Sequence, residues 1–389
     1  MSRVLEVARV FLGLGLRSFG GPIAHLGYFR AELVEKRRWL DDAHYGDLVA
    51  LCQFLPGPAS SQVVFALGLH RAGLAGALVA SLCFTLPSAL LMIAFAVGLA
   101  QVPSLQQAGW LHGLKLAAVA VVAQAVWGMG TKLCVGRARM TICLATAAAL
   151  LLLPGALVQL GAIAAGGLVG WRLFRAEAPA PSAPPRGRHL VAAATLTVFA
   201  LLLVVLPLGA STGVRALEEL DAFYRSGSLV FGGGHVVLPL LRTEVVPRGW
   251  LTDDQFLAGY AAAQAVPGPL FTLAAYLGAA MHPGPRAWLH GLWCLLALFL
   301  PAWLLVGGAL PFWERLRSKT SARGALAGAN AAVVGVLLAA LYEPVITSSV
   351  RGVKDAALAL IAFALLELWK LPAWAVVGGL AALGAVGVS

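Results

Sequence analysis

Two glycine-rich stretches and two Pro-Gly-Pro triplets carry the chemistry in this sequence. "FGGPIAHLGYFR" at 19–30 returns as "FGGGHVVLPLLR" at 231–242, and "QFLPGP" (Gln53 to Pro58) returns as "QAVPGP" (Gln264 to Pro269). Glycine at Gly20, Gly21, Gly232 and Gly233 lets backbone N–H groups approach a ligand with no side chain in the way, and a helix N-terminus beginning there favours an anion. Pro56-Gly57-Pro58 and Pro267-Gly268-Pro269 remove backbone donors and forbid a continuous helix, leaving short helices that meet at a break. Hydroxyls at Ser60, Ser61 and Thr272 follow the breaks and add donors. Such groups suit reversible capture of a small oxyanion. Packing and kinking, the ordinary uses of Gly and Pro in membrane helices, are the competing account of each motif taken singly.

Charged residues recur with the motifs. Arg30 and Arg242 are the candidate cations, since an arginine fork grips an oxyanion with several donors; the alternative is a guanidinium reaching for lipid headgroups. Glu32 and Glu244 lie two residues on, a spacing that puts them on another helix face. Lys115 lies inside an apolar run opposite Asn330 in the repeat, which suggests an asymmetric polar function, or a lysine reaching the interface. His25 and His235 flank the glycines and are either titrating groups of a proton-coupled cycle or hydrogen-bonded structural histidines. The five cysteines stand singly with no metal-ligand spacing and read as packing residues. No nucleophile–base set, cofactor motif or metal cluster is visible in the sequence, so an enzyme is not expected.

The elements that position these residues must lie in a membrane. With 60% hydrophobic and 12% charged residues and a mean hydropathy of +0.85, the chain is too apolar to cover a soluble surface. Apolar runs near 75–101, 111–131, 140–153, 156–171, 190–208, 287–310, 325–342, 356–369 and 372–388 predict helices. Shorter segments at 4–19, 44–70, 217–231 and 255–281 either cross, giving about thirteen spans with the N-terminus inside and the C-terminus outside, or re-enter. The net charge of +11 sits in short connections, where it orients helices and does not call for nucleic acid. Charges at Glu6, Arg9 and Arg17 interrupt any cleavable signal, so the first helix is expected to stay.

The motif matches form an ordered series. Phe19-Gly20-Gly21, Arg30, Glu32, Trp39-Leu40, the Pro-Gly-Pro triplet and Pro87 meet Phe231-Gly232-Gly233, Arg242, Glu244, Trp250-Leu251, the second triplet and Pro301. That predicts an internal duplication. Matching loops differ in charge. Lys132, Arg137 and Arg139 at 130–140 face a balanced 343–355, while an uncharged 101–110 faces Arg315, Arg317, Lys319 and Arg323. Matching loops on opposite sides predict an inverted repeat. The expected fold is therefore an all-α polytopic membrane protein with two inverted-topology repeats and helices broken at Pro-Gly-Pro. Its units are a first repeat (1–171), a cytoplasmic Pro/Ala-rich basic linker (172–189), a connecting transmembrane helix (190–210) and a second repeat (211–389). The expected site lies between the halves near the midplane.

"FGGPIAHLGYFR", "RRWLDD", "CQFLPGPASSQ", "FGGGHVVLPLLRTEVV" and "QAVPGP" together resemble the chromate ion transporter family in its long, two-domain bacterial form, over nearly the whole chain. The resemblance implies export of chromate from the cytoplasm across the inner membrane, driven by membrane potential or a proton gradient, with sulfate as a chemical analogue. Gly234 replaces Pro22 in the second motif, so the two need not do equal work. A transporter for another anion shares every feature, and an anion channel would use a similar path. No cofactor is expected; lipid is the expected surrounding, and a homodimer is left open.

Overall fold

The computed structural model describes residues 2–19, 21–101, 109–174, 189–231, 234–313 and 320–387. Gly20, Gly232, Gly233, Arg315, Arg317, Lys319, most of the 101–110 loop and most of the 172–189 linker lie outside the described residues. Helix is the only regular structure among those described.

The first half runs α1 (Arg3–Arg17), α2 (Gly21–Arg30), α3 (Asp42–Phe54), α4 (Ala59–Gln101), α5 (Gly109–Leu133), α6 (Arg137–Leu152) and α7 (Ala156–Leu173). Helix α8 (His189–Ala210) follows. The second half runs α9 (Arg215–Ser228), α10 (Val237–Val245), α11 (Asp253–Ala265), α12 (Leu273–Met281), α13 (Ala287–Ala309), α14 (Thr320–Ala340), α15 (Val353–Glu367) and α16 (Ala373–Ala385). Among the described residues five helices are long and apolar enough to cross a membrane: α4, α5, α8, α13 continued as Ala287–Phe312, and α14 continued as Ala322–Ser349. Leu190, Leu201, Val204 and Leu208 on α8 point outward, as lipid-facing residues should.

The short segments fold back as helical hairpins. Helices α1, α2 and α3 have 15, 10 and 13 residues, about 15–22 Å at 1.5 Å per residue, which is short of a ~30 Å hydrocarbon core. Glu6, in the first turn of α1, accepts from Trp39 Nε1 at 3.1 Å and pairs with Arg71 Nη2 at 2.7 Å. Residues 6, 39 and 71 therefore share one end, and the chain goes in and back twice between them. Ala72 and Gly73 (φ 65) then bend α4 sharply, and its remainder runs on through the bundle. The second half repeats the pattern: Arg215 lies 3.8 Å over the Trp250 ring and binds Glu219, which also holds His282. Gly291, at the start of α13, packs against Ile93, well past the bend in α4. The Glu6 and Glu219 clusters thus stand at opposite ends of the bundle.

Helices of one half pack on the other through glycine. A Cβ on Gly113 of α5 would lie 2.0 Å from the Leu380 carbonyl oxygen of α16, and one on Gly328 of α14 would lie 2.0 Å from that of Gly166 of α7. Small residues allow this backbone approach where no hydrophobic force drives helices together. Gly328→Ile is expected to force the helices apart and cost about 1–3 kcal/mol or more, read as a lower melting temperature in detergent. An unchanged melting curve would show that the close approach contributes nothing.

Candidate functional site

Each half supplies two helical hairpins whose tips carry the motifs. The α1 helix ends at Ser18, whose N–H donates to Leu14 O at 2.9 Å, and Gly21 with φ +77 opens α2. The α3 helix ends at Leu55; Gly57 (φ +125) turns the chain and Ala59 begins α4. In the second half Gly268 (φ +100) turns the chain into a short turn, Leu270–Thr272, that leads into α12. Left-handed backbone of this kind favours glycine, so the triplet's central residue is dictated by the turn.

The tips cross between halves. The Gly57 N–H donates to the Val230 carbonyl at 2.6 Å, and the Gly268 N–H donates to the Ser18 carbonyl at 2.8 Å. Each Pro-Gly-Pro therefore meets the glycine-motif hairpin of the other half. A Cβ on Gly268 would lie 2.7 Å from Ser88 Oγ, and one on Gly57 would lie 2.6 Å from Gln62 Nε2 and 3.4 Å from Ala302 Cβ. Ser88 and Ala302 follow Pro87 and Pro301, the prolines that matched in the sequence. Gln62 Nε2 donates to Pro56 O at 2.7 Å, and Thr272 Oγ1 donates to Pro269 O at 2.9 Å, fixing both tips.

Helices α2, α4, α10 and α12 all start from these tips. Their N-terminal N–H groups and dipoles favour negative charge there. Buried polar atoms flanking the breaks lack partners: Ser18 Oγ, His25 Nδ1, Ser61 Oγ, Gln62 Oε1 and Gln264 Nε2. Buried groups of this kind normally find a partner in protein, water or ligand. Ser60 is buried beside them. His25 Nε2 faces the Ser18 carbonyl at 3.1 Å, and its ring stands edge-on to Phe84. His235 Nδ1 lies 2.8 Å from Tyr260 Oη.

The arginines are engaged elsewhere. Arg30 sits at the far end of α2 from Gly21 with 47% of its side chain exposed; its fork binds Asp42 at 2.7 and 3.0 Å and also reaches Glu35. Arg242 binds Asp253 in the same way, at 2.6 and 3.0 Å. Both clamp one hairpin to the first turn of the next, which differs from the expected grip on an anion. Arg30→Ala is expected to leave stability nearly unchanged, as for exposed pairs, and to leave uptake near normal at equal membrane abundance. Uptake reduced tenfold at equal abundance would return Arg30 to the site.

Glu32 and Glu244 hold the same hairpins. Arg17, Lys36 and Arg37 surround Glu32, and Arg225 and Arg248 surround Glu244. Burial pushes the Glu32 carboxyl up, but the hydrogen bonds from Arg37 and Arg17 outweigh it and hold it below its ordinary value. Lys115, 6% exposed, reaches Asp254 at 2.8 Å, and that aspartate is 65% exposed. It joins α5 of one half to the first turn of α11 in the other.

An apolar cavity lies away from the tips. It holds about 670 Å³ and is lined by residues such as Val119, Trp127, Met140, Leu144 and Phe363. A dianion brought into such an apolar cleft would be uncompensated.

The family model described as chromate transporter matches residues 5–171 and 217–385. The chain belongs to the chromate transporter family. A chromate transport protein of Cupriavidus metallidurans is 29% identical over 98% of this chain and 92% of its own length. One of Pseudomonas aeruginosa is 29% identical over 84% of this chain and 77% of its own. An uncharacterised transporter of Methanocaldococcus jannaschii is 24% identical over 86% and 83%. No solved structure matches. Both matched stretches of the chromate transporter model include one glycine motif and one Pro-Gly-Pro.

Sequence reasoning missed Ser18, Gln62 and Ser88. Ser18 and Gln62 stand within four residues of a motif, so proximity was an available signal. Ser88 becomes relevant only because Gly268 approaches it from the other half.

Proposed function

We propose that this member of the chromate transporter family is a secondary active exporter of chromate, a tetrahedral dianion, from the cytoplasm across the inner membrane. Membrane potential or a proton gradient drives it, and sulfate competes. The observation that carries this reading is the reciprocal crossing of the Pro-Gly-Pro tips, with unpartnered buried polar atoms, the Ser18 and Ser61 hydroxyls among them, around it.

Four helix starts aimed at the crossing supply about half a charge each, close to the two charges of the anion. Ser18, Ser60 and Ser61 add hydrogen bonds, Gly21 leaves room for backbone approach, and Gly20, Gly232 and Gly233, which lie outside the described residues, are assigned to the same role on their place in the motifs. His25, through its unpartnered Nδ1, is the group we assign to proton coupling. The units are the two repeats 1–171 and 211–389, inverted and joined by 172–189 and 190–210. The N-terminus and linker are cytoplasmic, so the Glu6 end faces the cytoplasm and the Glu219 end faces outward. Rocking of one pair of hairpins against the other alternates access, as inverted-repeat transporters do.

Uptake of radiolabelled chromate into inverted vesicles tests this. Saturable uptake above empty vesicles, reduced by sulfate and by an uncoupler, is the expected result. Passive, unsaturable flux would instead make the protein a channel, and flux of sulfate without chromate would change the substrate.

A further inference from the structure

The outward-facing end of the second half holds a cluster that anion transport does not use. Glu219, one turn into α9, is fully buried and faces two imidazoles: His282 through Nε2 and His290 through Nδ1, the latter at 2.9 Å. The three ligand atoms lie within 4.8 Å of one another. The two rings stack with centroids 3.6 Å apart and planes 21° apart.

The matching place in the first half shows what this position requires. His282 stands fourteen residues after Gly268, as Arg71 stands fourteen after Gly57. Arg71 supplies a permanent positive charge to Glu6 at 2.7 Å, beside Trp39. In the second half the residue at that place is a histidine, with a second histidine stacked on it. An imidazole, unlike a guanidinium, can offer a nitrogen lone pair to a metal ion.

We propose that Glu219, His282 and His290 form a binding site for a divalent transition cation of the zinc type. Two imidazoles and one carboxylate are a ligand set that Zn²⁺ accepts, with a fourth position left for water. Bonds of about 2.0 Å at tetrahedral angles place ligand atoms roughly 3.3 Å apart, so the two rings swing out of their stack for both nitrogens to aim at one ion. Neutral histidines bind by moving the proton to the other ring nitrogen. Glu219 is sealed, while His282 and His290 keep 22% and 16% of their side chains exposed, which gives the ion a way in. Arg215 now donates to Glu219 Oε1 at 3.0 Å, and its stacking over Trp250 holds it in place when that oxygen turns to the metal. A cation here would tie α9 to α12 and α13, as the Arg71 pair ties α1 to α4.

The test uses the full-length protein in detergent, stripped with a chelator and given ZnCl₂ alone. Elemental analysis after dialysis is expected to find one Zn²⁺ per chain, with a raised melting temperature that MgCl₂ does not reproduce, since Mg²⁺ prefers oxygen ligands. His282→Gln and His290→Gln each keep an amide donor for Glu219, so their metal-free melting should match the wild type. Each is expected to weaken Zn²⁺ binding by at least about tenfold, the scale on which even outer partners of a metal act. His70→Gln removes one ring of the exposed His44–His70 pair, whose centroids are 5.6 Å apart, and is expected to change nothing. No bound Zn²⁺ in the wild type would overturn the proposal. So would undiminished binding in both His282→Gln and His290→Gln, loss of binding in His70→Gln, or an equal response to Mg²⁺.

Discussion

Gly57→Ala combined with Gly268→Ala is expected to cut chromate uptake by at least tenfold while the protein still inserts. Both glycines have left-handed backbone, at φ +125 and +100, where another residue costs about 1–3 kcal/mol. Each new methyl would also fall under 3.0 Å from its neighbour, Gln62 Nε2 or Ser88 Oγ. The tips must shift to accept it, and the hydrogen bonds to Val230 and Ser18 shift with them. A factor of ten corresponds to about 1.4 kcal/mol, so even part of this strain suffices. Gly73→Ala is the comparison: its φ is +65, but a Cβ there meets nothing within 4 Å and it stands at the bend. It should lower stability and leave the apparent KM unchanged. Equal transport loss in Gly73→Ala and the double variant would show that backbone strain in general, and not the crossing, limits flux.

Ser18→Ala with Ser61→Ala should separate binding from stability. Both hydroxyls are buried without a partner, so deleting them from the empty protein is near neutral or stabilising. A hydrogen bond to a charged group is worth about 1.5–3 kcal/mol, so losing two is expected to raise the KM for chromate by at least tenfold with an unchanged or higher melting temperature. A fall in stability with an unchanged KM would mean that these hydroxyls serve the fold.

Much of this architecture was legible in the sequence because membrane helices are dictated by hydropathy. The run at 190–208 became α8 (His189–Ala210), and 287–310 became α13 (Ala287–Ala309). The fold-back of 44–70 and 255–281 into hairpins was not legible, since a break at Pro-Gly-Pro is compatible with the chain going on or turning back. Contacts far apart in sequence, such as Glu6 with Trp39 and Arg71, decide it. The pairing of the arginines was hidden for a related reason. Repetition with the motif marked Arg30 and Arg242 as important, but their partners Asp42 and Asp253 lie on the following helix. Sequence spacing gives helix faces and says little about pairs between helices. The crossing itself was also hidden. Each Pro-Gly-Pro appeared next to its own glycine motif in the chain, whereas its hydrogen bond goes to the other half.

Equilibrium binding of radiolabelled chromate to the purified protein is the most direct test of where the anion sits, because it removes gradients and gating from the result. The tip variants Gly57→Ala with Gly268→Ala, and Ser18→Ala with Ser61→Ala, are compared with Arg30→Ala. Placing the anion at the crossing predicts that both tip variants weaken binding by at least about tenfold, or 1.4 kcal/mol, while Arg30→Ala binds like the wild type. Normal binding by the tip variants together with lost binding in Arg30→Ala would contradict it.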